Sequence, residues 1–81
     1  MKQCDIILKA MLENKEKKWW YAKDFQSGKY FVGYEASARM SDIVKQYPDI
    51  IIVGKEGRYR VIGINFKNKK AIKKIIKSKE W

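Results

Sequence analysis

The chain reads as a single α+β domain, and three observations lead there. Apolar residues recur at helical spacing in residues 3 to 14, in 35 to 47 and from 68 onward. A β-branched run, Ile50 to Val53, and a second extended stretch, Arg58 to Ile64, flank the turn sequence "GKEG". The only proline, Pro48, stands where the helical pattern gives way to the extended one, and disfavours helix at the residue before it. With 81 residues there is room for one small core and no second independent domain.

In the first segment Cys4, Ile7, Leu8, Met11 and Leu12 share a helix face while Asp5, Lys9 and Glu13 form the polar side. Ile6 and Ala10 widen the apolar arc, so this helix is expected to touch two neighbours, the second being the C-terminal helix or another subunit. Trp19, Trp20 and Tyr21 suit a short strand, in which adjacent residues point to opposite faces; one tryptophan then enters the core and the other lies nearer the surface. A short helix is expected near Ala22 to Gln26. "SGKYFVG" then reads as a loop whose Tyr30, Phe31 and Val32 turn inward.

From Ala36, apolar residues follow at offsets of 4, 7, 8 and 11, namely Met40, Ile43, Val44 and Tyr47, which defines a core face. The opposite arc carries Ser37, Ala38, Ser41, Asp42 and Lys45, with Arg39 on its flank. Beyond Pro48 the two extended stretches form a hairpin with its turn at residues 54 to 57. On the returning strand Arg58 and Arg60 share one side, Tyr59 and Val61 the other. The last segment sets Ala71, Ile72, Ile75 and Ile76 against Lys69, Lys70, Lys73, Lys74 and Lys77, a basic amphipathic helix.

Charge is distributed unevenly. The chain carries 19 basic and 9 acidic side chains, formal net charge +10, of which +6 falls in residues 65 to 81. Such a field favours a polyanion, whether nucleic acid or an anionic membrane or protein surface; solubility alone is the plainer use of the same charge. No apolar run is long enough to span a membrane, and no secretory signal pattern opens the chain, so a cytoplasmic location is expected. There is no histidine and one cysteine, which excludes an internal disulfide and a Cys/His zinc set. Cys4 lies in an apolar stripe and is expected to be an inert thiol. Without a glycine-rich phosphate loop, metal-ligand spacing or paired acids, no catalytic residue, metal site or cofactor is assigned, and an enzyme is not expected.

The order of helix, aromatic strand, short helix, longer helix and basic-tipped hairpin resembles the winged helix-turn-helix family of DNA-binding domains, small phage and bacterial members in particular. The likeness is carried by "YFVGYEASARMSDIVKQYPDIIIVGKEGRYRV" and covers most of the chain up to about residue 64. It implies a three-helix core with a C-terminal hairpin wing in residues 1 to 64. Residues 65 to 81 then form an extra basic helix on the same domain. The connection before residue 35 exceeds the three or four residues of a compact helix-turn-helix, so the second helix should be short or irregular.

The resemblance implies that helix 35 to 47 enters a major groove about 12 Å wide, which small outward side chains near its start permit. Ser37 and Ser41 would then bond base edges or phosphates, Ala38 would meet a thymine methyl, and Lys45 a phosphate or guanine. Arg39 either reaches a phosphate or folds back onto Glu35 or Asp42. Asp42 needs a cytosine amino group or a neighbouring cation. Lys55 and Arg58 at the wing tip, with Arg60 farther along, would reach backbone phosphates or the adjacent minor groove. The plainer readings are a solvated helix face and an edge hairpin that uses charge against aggregation. The expected partner is double-stranded DNA, in a transcriptional regulator or phage-type accessory factor, with a homodimer on paired half-sites as a compatible arrangement. The rival is a protein-interaction module docking on an acidic partner protein through an aromatic patch around Trp19 and Trp20; membrane binding is not expected, because the apolar stripe of the last helix is short.

Overall fold

The computed structural model of the chain describes all residues except 1, 27, 29 to 31 and 34. Its elements are helix α1 (Gln3–Glu13), a 3₁₀ turn (Ala22–Phe25), helix α2 (Ala36–Gln46), strands β1 (Ile51–Glu56) and β2 (Tyr59–Ile64), and helix α3 (Lys69–Lys79). The result is a small α+β fold of three helices and one antiparallel hairpin.

The centre of the core is where α1, α2 and the hairpin meet. Ile7, Leu8 and Met11 of α1 share one buried cluster with Met40 and Ile43 of α2, Ile50 just ahead of the hairpin, Ile51 and Ile62 within it, and Phe25 of the 3₁₀ turn. α1 buries five residues, Ile7, Leu8, Ala10, Met11 and Leu12, an arc too wide for one partner. Beyond α2 and the hairpin, it also meets α3. Leu12 and Lys15 lie in one groove with Phe66, Ile72 and Ile76, while Lys79 at the other end of α3 pairs with Asp5 at 3.1 Å, so the two helices run antiparallel. Ala71, Ile72, Ile75, Ile76 and Trp81 all pack against the core without any of them being fully buried.

Trp20 is only 3% exposed and stacks on Phe25, with ring centroids 5.2 Å apart. Its backbone forms a single antiparallel bridge to Ile62, bonded at 2.8 and 3.1 Å, in place of the expected strand. The bridge stops there because the chain turns at once into the 3₁₀ turn, where the Asp24 carboxylate accepts from the Tyr21 N–H at 2.8 Å. Trp19 is half-buried and lies across the hairpin, its ring over Gly54 and Gly63. Val32 is buried and its N–H donates to the Phe25 carbonyl at 2.8 Å; Tyr30 and Phe31 lie outside the described residues.

α2 ends at Gln46, where Tyr47 leaves helical geometry ahead of Pro48. Glu35 is the residue capping its start and makes no side-chain cap bond. The hairpin turn is tighter than the sequence reading. Gly54, Lys55 and Glu56 are paired within β1, and only Gly57 and Arg58 form the turn. Gly57 has φ +63°, at the first of two turn positions, where a type II′ hairpin requires glycine. Arg58 therefore sits in the turn rather than on the strand. The register pairs Gly54 with Val61 and Ile52 with Gly63, so Val61 shares the Trp19-covered face while Ile62 faces the main core. Covering on both sides explains why β2 buries three consecutive residues instead of alternating.

Candidate nucleic-acid interface

On α2 the residues opposite the buried Ala36, Met40 and Ile43 are exposed or half-exposed, and the sequence-predicted site residues divide between two flanks of this arc. Ser37 and Ser41 stand on the flank toward the hairpin. The Arg60 guanidinium donates to the Ser41 hydroxyl, which itself donates to the Ser37 carbonyl at 3.3 Å. Arg60 can reach because its register places it on the same hairpin face as Ile62, the face turned to the core and hence to α2. Ala38 and Lys45 are exposed; helical spacing sets them near the middle of the outer arc.

Arg39 takes the other flank and folds back. Its Nη1 lies 3.1 Å from the Asp42 carboxylate, and both side chains line a depression with Cys4, Asp5 and Lys79, remote from the hairpin. The pair removes an acid that would otherwise repel phosphate, and it also removes Arg39 from the cations on the hairpin side. The Cys4 thiol donates to the Arg39 carbonyl at 3.9 Å. Burial, and next the charge of Asp42, push that thiol above its ordinary range.

Between hairpin and α2 lies a cleft of about 400 Å³ that brings together Ser37, Arg58 and Arg60. Its remaining wall was not assigned from sequence: Tyr21, Lys23 and Gln26 from the 3₁₀ region, and Tyr59 from β2. The Tyr21 hydroxyl donates to Glu56, which ties the 3₁₀ region to the hairpin and holds the phenol above its ordinary pKa. Its ring meets Tyr59 edge-on, 6.4 Å between centroids at 75°, and Lys23 Nζ lies 5.2 Å from its centre. The sequence signal for these residues was the interleaving of aromatic and basic side chains in "YAK" and "GRYR". Lys55 is exposed near the tip and paired in the ladder with Arg60.

Among the described residues no group of three or more His, Cys, Asp or Glu side chains is placed to hold a metal ion, and no helix is long and apolar enough to cross a membrane. No protein-family model matches the chain, and neither a curated protein nor a solved structure is significantly similar to it.

Proposed function

We propose that this chain is a winged helix-turn-helix module that binds double-stranded DNA, α2 lying in the major groove and the β1–β2 hairpin serving as the wing on the backbone. It acts without catalysis or cofactor, as a transcriptional regulator or phage-type accessory factor. The observation that carries this reading is the bond from Arg60 to Ser41, which holds a cationic hairpin beside the exposed row of the helix. A single duplex can then meet Ser37, Ala38 and Lys45 in its groove and Lys55, Arg58 and Arg60 along its phosphates.

Within that reading Ser41 has a narrower role than a free serine. A hydroxyl has one proton and two lone pairs. Here the proton goes to Ser37 and one lone pair to Arg60, so Ser41 can accept from a base amino group but cannot donate to a phosphate without releasing its partners. Its main contribution is to orient Arg60.

Fluorescence anisotropy against duplexes of mixed sequence tests the proposal. If about five phosphates are neutralised, log affinity should fall with log salt at a slope of about −4.5. Changing Lys55, Arg58 and Arg60 together to glutamine should weaken binding to every duplex and flatten that slope by about 2.7, whereas Ser37→Ala should alter preference among sequences. A triple variant with unchanged affinity and unchanged slope rejects the mechanism.

A protein-docking role is the second reading. Trp20 is too buried to serve it; what favours it is Ile52 and Val53 on β1, 41% and 49% exposed. In that case substituting these two would abolish partner binding while the wing variant left it intact.

A further inference from the structure

We propose that the cleft between the wing and α2 holds one nucleobase together with its phosphate, taken either from a free nucleotide or from an unpaired nucleotide in a strand. The proposal deepens the duplex reading by giving its interface a ligand-sized pocket, and the two are tested apart below.

Tyr59 is the starting point. It is 63% exposed, the largest exposure of any big apolar side chain among the described residues, and it contributes nothing to the core. Yet it is not loosely placed. Tyr21 braces its edge at 6.4 Å, and Tyr21 is itself fixed by its hydroxyl bond to Glu56. A braced aromatic ring open to solvent is a stacking platform, and every base has a π-face to offer it.

The surroundings specify the rest of the ligand. Lys23, Arg58 and Arg60 line the same cleft as the ring, and no acid lines it among the described residues. Glu56, which accepts from the Tyr21 hydroxyl, keeps its negative charge but does not line the cleft, and it offsets one of the three cations at most. A neutral aromatic compound would leave the excess positive charge unmatched, and a bare anion would leave Tyr59 idle. Gln26 and Ser37 add donors and acceptors suited to a base edge, over an apolar floor of Met40 and Ala22. The volume, about 400 Å³, falls within the range of about 300–1,000 Å³ usual for small-ligand sites.

Two titrations test this on the full chain. In the first, deoxyadenosine and thymidine monophosphates are compared with deoxyribose 5-phosphate and inorganic phosphate by calorimetry. In the second, a fully paired duplex is compared with the same duplex carrying one unpaired nucleotide. A base-dependent preference of at least about fivefold is expected in at least one titration, lost in Tyr59→Ala and kept in Tyr59→Phe. Preference in the first alone identifies a free nucleotide as the ligand; in the second alone, a strand nucleotide. Circular dichroism checks that the alanine variant is folded, and the exposure of Tyr59 means that no core cavity is opened. No base preference in either titration, or a preference that survives Tyr59→Ala, overturns the proposal. Affinity for the fully paired duplex reports separately on the duplex reading, since that term depends on the wing cations and not on the Tyr59 ring.

Discussion

Gly63 has no room for a side chain. A methyl group there would fall inside the contact distance of the Lys18 carbonyl oxygen and within 3.3 Å of the Trp19 ring. Backbone cannot retreat as a flexible side chain can, so Gly63→Ala should destabilise the fold by about 1–3 kcal/mol, measurable by urea unfolding. Gly54→Ala meets only the end of the Trp19 ring, at 3.0 Å, and should cost less. From sequence Gly54 reads as part of the turn and Gly63 as part of the second extended stretch; only the packed Trp19 reveals the two as a seat for an indole. Cys4 makes the opposite point. Its stripe already indicated an inert thiol, and its raised pKa in the fold lowers the thiolate fraction further. Alkylation by iodoacetamide at pH 7.5 should therefore be slower in the native protein than in urea.

At the scale of elements, the helices were legible because a 3.6-residue period survives any packing arrangement that buries one face. α1 and α2 differ from the sequence reading only at their ends, where capping and Pro48 decide the last residue. The hairpin was legible as a hairpin but not in its turn. "GKEG" offers two glycines, and the choice of Gly57 over Gly54 rests on Trp19, whose ring needs Gly54 inside the ladder. α3 has a clear start: the Asn68 side chain accepts from the Ala71 N–H at 3.4 Å and donates to the Asp49 carbonyl at 3.1 Å. This residue caps the helix and ties it to the entry of β1. Asn68→Ala should cost about 0.5–2 kcal/mol in thermal or urea unfolding, against almost nothing for Lys69→Ala beside it.

For the whole molecule, alkali is the informative stress. The Cys4 thiol, the Tyr21 phenol and the Lys79 ammonium all have pKa values raised in the fold, through burial, the Glu56 hydrogen bond and the Asp5 hydrogen bond respectively. In each case the folded state holds its proton more tightly than the unfolded chain. The stabilisation is therefore complete below the ordinary pKa and lost as pH rises through the folded one. Melting temperature should begin to fall above about pH 9 and fall faster above about pH 10. Tyr21→Phe combined with Lys79→Gln should blunt the second part of that decline, as read by circular dichroism. The net charge of +10 adds self-repulsion at neutral pH, which moderate salt should relieve even as it weakens any polyanion contact.

Periodicity, a lone proline and a run of lysines by themselves determined the α+β class, the order of the three helices and the hairpin, and the positive field, since each depends only on neighbours along the chain. They also placed Ser37, Ser41, Lys45 and the hairpin arginines on the outer surface. What only the tertiary structure decided was who meets whom: Arg60 on Ser41, Arg39 turned away onto Asp42, and Tyr21 braced against Tyr59 beside three cations. The second chooses between two partners in reach, while the first and third join side chains 19 and 38 residues apart and follow from the register of the hairpin and its seating on α2. Local sequence carries no record of either, because both are set by how the core closes.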